Sequence, residues 1–179
     1  MTRSPDDPIS RWLPDGPDLR SQYNAMVLTV RGYQLADFKR LLEIDQACFQ
    51  EGIAYSEKEL RFFLAMPTAT VLVGVKEKQI VGFVVADHFR SRRALRPVGK
   101  IITIDVAPEA QHSGAGTLLI RSAEAALKQA GCDYVSLEVA VDNRPALAFY
   151  KKHGYSVLKV LPRYYLDSLD GLLMEKKLE

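Results

Sequence analysis

Cysteine is nearly absent from this chain. Cys48 and Cys132 are its two thiols in 179 residues, each in apolar surroundings, and they read as core residues rather than a disulfide framework. No CxxC and no HExxH spacing occurs, so no metal site is expected. An excess of one charge is also lacking: 24 Lys and Arg stand against 22 Asp and Glu, a formal net charge of +2. A chain so balanced has no dedicated basic face, and direct nucleic-acid binding is not expected. No apolar run approaches the roughly 18 residues of a membrane span. The first residues, Met1 to Pro8, hold no apolar stretch of the secretory kind. The expected location is therefore cytoplasmic, with no membrane partner. Internal repeats are missing as well.

The chain does carry apolar residues at 47% of its positions, enough to bury the core of one ordinary domain. Four prolines, Pro5, Pro8, Pro14 and Pro17, crowd the first 17 residues, where they preclude a helix or a sheet ladder. Residues 1–25 are expected to be a flexible or loosely wrapped extension, anchored through Trp12 and Leu13, and residues 26–179 the folded domain.

Within that domain the spacing predicts a strand over Met26–Val30 and a helix over Leu35–Phe49, with Leu41, Ile44 and Cys48 on one face. Ser56 and Glu59 form a capping-box pattern ahead of a second, short helix. Thr70–Val75 and Ile80–Phe89 read as a hairpin around the polar turn Lys76–Gln79. A loop rich in arginine runs from Arg90 to Gly99, followed by a strand over Ile101–Val106. Thr117–Ala130 is a strong helix with Gly131 as its stop. Then come a strand (Tyr134–Ala140), a helix (Asn143–His153) closed by Gly154, and strands over Tyr155–Leu161 and Leu172–Lys177. The order β-αα-βββ-α-β-α-ββ predicts an α/β (α+β) layer with a mostly antiparallel sheet and about four helices.

The junction from Ile104 to Thr117 joins a strand to the long helix and holds Gly114 and Gly116. Unpaired N–H groups at a helix start attract phosphate, and glycine lets an anion approach the backbone. A P-loop pattern is absent, and Leu119 breaks the dinucleotide pattern GxGxxG. On the glycines alone, a structural turn and a phosphate site are both open readings.

The run Gln111-x-x-Gly114-x-Gly116, preceded by Val106-x-Pro108, resembles the pyrophosphate-binding signature of the GNAT superfamily of N-acetyltransferases. The likeness continues through Leu137-Glu138-Val139, Asn143, Phe149-Tyr150, Gly154-Tyr155 and Tyr164-Tyr165. It is similar above all to the ribosomal-protein alanine N-acetyltransferases. The resemblance implies a seven-stranded sheet with a V-shaped splay and acetyl-CoA as co-substrate. In that slot the backbone of Ile104 and Val106, beside Asp105, would pair with the pantetheine arm. Gln111 and the N–H groups of His112, Ser113, Gly114, Ala115, Gly116 and Thr117 would hold the pyrophosphate, and Asn143 would reach a pantetheine amide. Asn143 also reads as a plain helix cap ahead of Arg144-Pro145. His112 stands where many members have glycine.

Acetyl transfer needs a neutral amine, a polarised thioester carbonyl and a proton for the leaving thiolate. The resemblance assigns Glu138 as base and Tyr150 as acid. Tyr150 follows Asn143 by two helical turns, which puts both on nearly one face. The competing readings are an ion-paired strand carboxylate for Glu138 and a packed aromatic for Tyr150. Asp105 is a rival base, although alternation turns it away from Ile104 and Val106. By resemblance Tyr164 and Tyr165 stand at the acceptor mouth, with Phe49 and Tyr55 as its other wall. The expected acceptor is a protein N-terminal α-amine, whose reference pKa of about 8 is easier to meet than the ~10.4 of lysine. A small-molecule amine acetyltransferase and a non-catalytic acyl-CoA-binding module are the alternatives, and the expected state is a monomer or homodimer.

Overall fold

The computed structural model describes residues 27–49, 53–90 and 96–179. The proline-rich segment, Met26, and Arg92 and Arg93 of the basic loop lie outside these. The strands are β1 (Thr29–Gly32), β2 (Thr70–Lys76), β3 (Gln79–Phe89), β4 (Val98–Val106), β5 (Tyr134–Ala140), β6 (Ser156–Tyr165) and β7 (Leu169–Lys177). The helices are α1 (Phe38–Cys48), α2 (Glu57–Leu64), α3 (Ala115–Gln129) and α4 (Arg144–Lys152). The strands form one sheet in the order β1-β2-β3-β4-β5-β7-β6, antiparallel except where β4 meets β5.

Each helix follows from local chemistry. Ser56 caps α2 by accepting the Glu59 N–H while the Glu59 carboxylate accepts the Ser56 N–H, so both halves of the predicted capping box are made. In α3 the buried stripe is Ala115, Leu119, Ile120, Ala123 and Leu127, the period of a helix lying on a sheet. Leu119, Ile120, Ala123 and Leu127 pack with Val84, Ala86, Ile101, Val135 and Leu137 of the central strands, where Tyr150 of α4 joins them. The opposite face of the sheet is covered by Phe38, Leu41 and Ile44 of α1 and Leu60 of α2, set against Val73, Phe83 and Val85.

Four expectations need correction. The first strand is Thr29–Gly32 rather than Met26–Val30, and the first helix divides into a 3-10 turn, Leu35–Asp37, and α1. The Asp37 carboxylate stabilises that turn, accepting the Gln34 N–H and two bonds from Arg31. β4 begins at Val98, inside the expected loop, because β3 extends to Phe89 and pairs with it there. At the C-terminus β6 runs on to Tyr165, so Tyr164 and Tyr165 end a strand instead of sitting in a connection. Pro162 does not stop this strand: β6 is at the sheet edge, where a missing N–H costs little, and a register shift between Leu161 and Tyr165 absorbs the distortion.

The feature that matters for function lies at the parallel junction. β4 and β5 pair only at Gly99↔Val135 and Lys100↔Ser136. Opposite β3 the register passes from Val85↔Thr103 to Ala86↔Ile101, leaving Ile102 as an extra residue in β4. A bulge bends its strand. It does so here just beyond Lys100, so β4 leaves β5 and a wedge opens in the middle of the sheet.

Candidate active site

The wedge exposes one edge of β4. Gln111 Nε2 and Cys48 Sγ donate to the Val106 carbonyl at 3.4 and 3.2 Å. With a strand period of two, the Ile104 backbone faces the same open edge. These are the groups expected to meet a pantetheine arm. Two cavities of 510 and 560 Å³ occupy the wedge and share Cys48, Phe49, Ile104, Asn143, Ala146 and Tyr150, so they form one slot.

The 560 Å³ end opens on the α3 N-terminus and is lined by Gln111, His112, Gly114, Gly116 and Thr117. Gly114 caps the helix with φ 91°, and a Cβ added there would meet nothing within 4 Å. The first-turn N–H groups of Ala115, Gly116 and Thr117 have no acceptor within an α-helix. Gly116 lets the helix start approach α4: a Cβ there would lie 3.2 Å from the Phe149 ring. Open space beside unpaired donors fits a pyrophosphate. His112 takes φ 60°, the left-handed conformation that glycine adopts without strain. Ser113 and Ala115 do not line the slot through their side chains: Ser113 is exposed and Ala115 buried. Lys152, at the end of α4, adds a positive charge to this end of the slot.

The 510 Å³ end is lined by Glu138, Tyr150, Tyr55, Tyr165, Phe49 and Ile53, among others. Leu137 and Val139 pack with the α3 cluster, so Glu138 points to the other face, whereas Tyr150 comes from the α3 side. They meet because the parted strands let the slot pass through the sheet. Tyr150 is 8% exposed. Its ring packs edge-on against Phe149 and Tyr155, and no hydrogen bond among the described residues engages its hydroxyl. Burial, then the nearby Asp105, pushes this phenol up, so it is protonated at neutral pH. Glu138 Oε1 accepts a bond from Lys100 Nζ at 2.9 Å. Asn143 caps α4 by accepting the Ala146 N–H at 3.1 Å, which leaves its amide N–H groups for the slot.

Tyr165 lines the cavity, and burial, Tyr164 and Glu138 push its hydroxyl up to about 12. Tyr164 does not line it. That ring is 48% exposed and packs on Tyr165 and Gly171. The Tyr55 hydroxyl donates to the Ile102 carbonyl at 3.4 Å, which fixes it as a wall. Asp105 is 1% exposed and accepts the Thr103 hydroxyl at 2.9 Å. Burial, with Asp45 adding to it, holds its carboxyl well above the usual range. Asp105 lines the α3 end of the slot and not the end that holds Glu138 and Tyr150, which weakens the rival reading.

Sequence reading missed Lys100, Asp45 and the slot position of Cys48. Asp45 is fully buried and accepts the Tyr55 N–H at 2.8 Å, anchoring the loop that carries Tyr55. A signal existed: Asp45 falls between Ile44 and Cys48 on the apolar face of α1, where a carboxylate is out of pattern. Burial pushes the Cys48 thiol up to about 12, with Asp105 contributing, so it is no nucleophile at neutral pH. Among the described residues no cluster of three or more His, Cys, Asp or Glu could hold a metal.

A sheet split by a bulge, with phosphate donors at one end of the slot and a carboxylate and a phenol at the other, defines an acyl-CoA transferase architecture. The chain matches the acetyltransferase (GNAT) family over residues 38–155 and belongs to it; it is an acetyltransferase with acetyl-CoA as co-substrate. It is 29% identical over 153 residues to an N-alpha-acetyltransferase of Sulfurisphaera tokodaii, covering 81% of this chain and 90% of that one. Among solved structures, Chaetomium thermophilum Naa20 in complex with a bisubstrate analogue aligns with TM-score 0.69 and 29% identity over 84% of this chain and 86% of that one. The ribosomal-protein-S18-alanine N-acetyltransferase of Escherichia coli shares the fold, with TM-score 0.73 at 19% identity over 86% and 95%. No helix among the described residues is long and apolar enough to cross a membrane.

Proposed function

We propose that the enzyme transfers acetyl from acetyl-CoA to the α-amine of a protein or peptide N-terminus, with Glu138 as base and Tyr150 as proton donor. The observation that carries this reading is that Glu138 and Tyr150, from opposite faces of the sheet, line one cavity at the inner end of the slot. The name of the Sulfurisphaera relative supports an α-amine acceptor. A cytoplasmic site of action goes with such an acceptor.

In this reading acetyl-CoA supplies the thioester. The α3 N-terminus and Lys152 hold its phosphates, and the open edge of β4 aligns its arm. Glu138, directly or through a water, removes a proton from the acceptor's ammonium, and the neutral amine attacks the thioester carbonyl. The Tyr150 hydroxyl donates to the departing sulfur, a bond that strengthens as charge builds there. Tyr55, Phe49 and Tyr165 wall the acceptor and exclude water.

Glu138→Gln tests the base. The amide keeps size and hydrogen bonding but removes the proton acceptor. Its rate deficit on a free-N-terminus peptide should be largest at about pH 6.5 and shrink above the α-amine pKa of about 8, where solvent supplies neutral amine. A ratio to wild type that stays flat up to about pH 9.5 refutes the base role. Faster acetylation of an N-blocked lysine peptide than of its free-N-terminus counterpart refutes the α-amine preference.

A further inference from the structure

Lys100 sits where the wedge begins. Its backbone forms the last rung between β4 and β5, opposite Ser136, and its side chain lies on the same face as Glu138, two residues further along β5. The ammonium reaches up the slot to Glu138 Oε1 at 2.9 Å. Another carboxylate stands beside it on the neighbouring strand. Asp87 is the direct cross-strand neighbour of Lys100 on β3, and its Oδ1 is buried without a hydrogen-bond partner. Among the described residues Lys100 makes no hydrogen bond to Asp87, and it commits its charge to the slot. Glu138 Oε2 takes no hydrogen bond among the described residues.

We propose that Lys100 is a positioning residue: it holds Glu138 through one oxygen and, by its charge, disfavours the ammonium form of an acceptor amine bound at the other. This rests on the reading of Glu138 as the base. A carboxylate alone in a half-buried slot would hold an acceptor as its ammonium, the unreactive form. A second cation on the same carboxylate offsets that preference. The incoming amine therefore binds less tightly as an ammonium and loses its proton more readily. Binding energy is given up in the ground state and regained in the transition state.

The groups facing this pair come from four strands, one helix and one loop. They are Asp87 on β3, Asp105 on β4, Glu175 on β7 opposite Ser136, and Lys159 on β6, in the row Glu138–Leu173–Lys159. The slot adds the hydroxyls of Tyr165, Tyr150 and Tyr55. Burial keeps all three phenols protonated, their values pushed up. Lys159 is two strands from Glu138, so Lys100 is the cation in contact with it.

Lys100→Met and Lys100→Arg decide the matter, each assayed for kcat and KM against pH with acetyl-CoA and a free-N-terminus peptide. The Lys100 side chain is one-third exposed, so both variants should fold, which circular dichroism checks. Lys100→Met should lower kcat about tenfold at neutral pH and lower the KM for the peptide. The acid limb of its kcat profile should move up by about one pH unit, with kcat recovering in alkali. Lys100→Arg, which keeps the charge, should resemble wild type. An unshifted profile with wild-type KM overturns the proposal. So does a kcat loss equal at every pH with KM unchanged, the result of lost strand support alone, or an arginine variant that behaves like the methionine one. Failure of the base reading itself shows elsewhere, as a flat Glu138→Gln ratio.

Discussion

Replacing Tyr150 by Phe removes one oxygen from the centre of the slot. The structure separates what this should cost in rate from what it should cost in stability. The ring makes the packing contacts, edge-on to Phe149 at 5.4 Å and Tyr155 at 5.7 Å between centroids, and Phe retains them. The hydroxyl donates to no protein group among the described residues, so its loss leaves no acceptor stranded. Stability should change by less than about 1 kcal/mol, a shift in Tm of no more than a few degrees. With Tyr150 as the proposed proton donor, turnover should depend on it. A general acid contributes about 10²–10⁴-fold, or roughly 3–5 kcal/mol, and that fraction of kcat should disappear. Acetyl-CoA binding should be almost unchanged, because the phenol acts when the thiolate leaves. Thiol release by a chromogenic assay gives kcat, calorimetry gives CoA affinity, and thermal unfolding gives Tm. A variant that turns over within about twofold of wild type would show that Tyr150 is packing alone. A rate loss accompanied by a Tm fall of more than about 10 °C would show that the hydroxyl is structural.

Asp45 gives a stability test with a defined sign. Burial raises its carboxyl from 3.8 to about 6, so the fold favours the neutral form. The stability this contributes is full below the unfolded pKa near 3.8 and is lost as pH rises through about 6. Asp45→Asn should therefore gain roughly 1–3 kcal/mol on wild type between about pH 4 and pH 7 in urea unfolding; an unchanged difference between those two pH values refutes the assignment. Gly114→Glu puts a side chain and a negative charge in the open space at the α3 N-terminus, and calorimetry should show CoA affinity reduced at least about tenfold, while unchanged affinity would remove the phosphate site. Leu119→Ala, at a side chain with no exposure beneath α3, should cost about 2–5 kcal/mol in denaturant unfolding, and a loss under about 1 kcal/mol would mean the helix collapses onto the gap.

Much of the protein is legible along the chain because the determining interactions are local. The capping box of Ser56 and Glu59 and the cap at Asn143 each depend on neighbours within one or two turns, and each is made as read. The run from Gln111 to Gly116 likewise marks the end of the slot proposed to take the cofactor, since a helix start with glycines carries its own donors. Element bounds were less legible where pairing decides them: β4 starts early because β3 offers it a partner, and β6 outruns Pro162 because it lies at an edge. The wedge belongs to the tertiary structure alone. It follows from a bulge at Ile102 that exists only against β3, and from a parallel ladder of two rungs between strands separated by the whole of α3. The same holds for the charges. Nothing in the sequence joins Lys100 to Glu138, or sets Asp45 and Asp105 behind the slot. Contact across a sheet and depletion of water around a carboxyl are properties of packed surfaces, which no spacing along a single chain can encode.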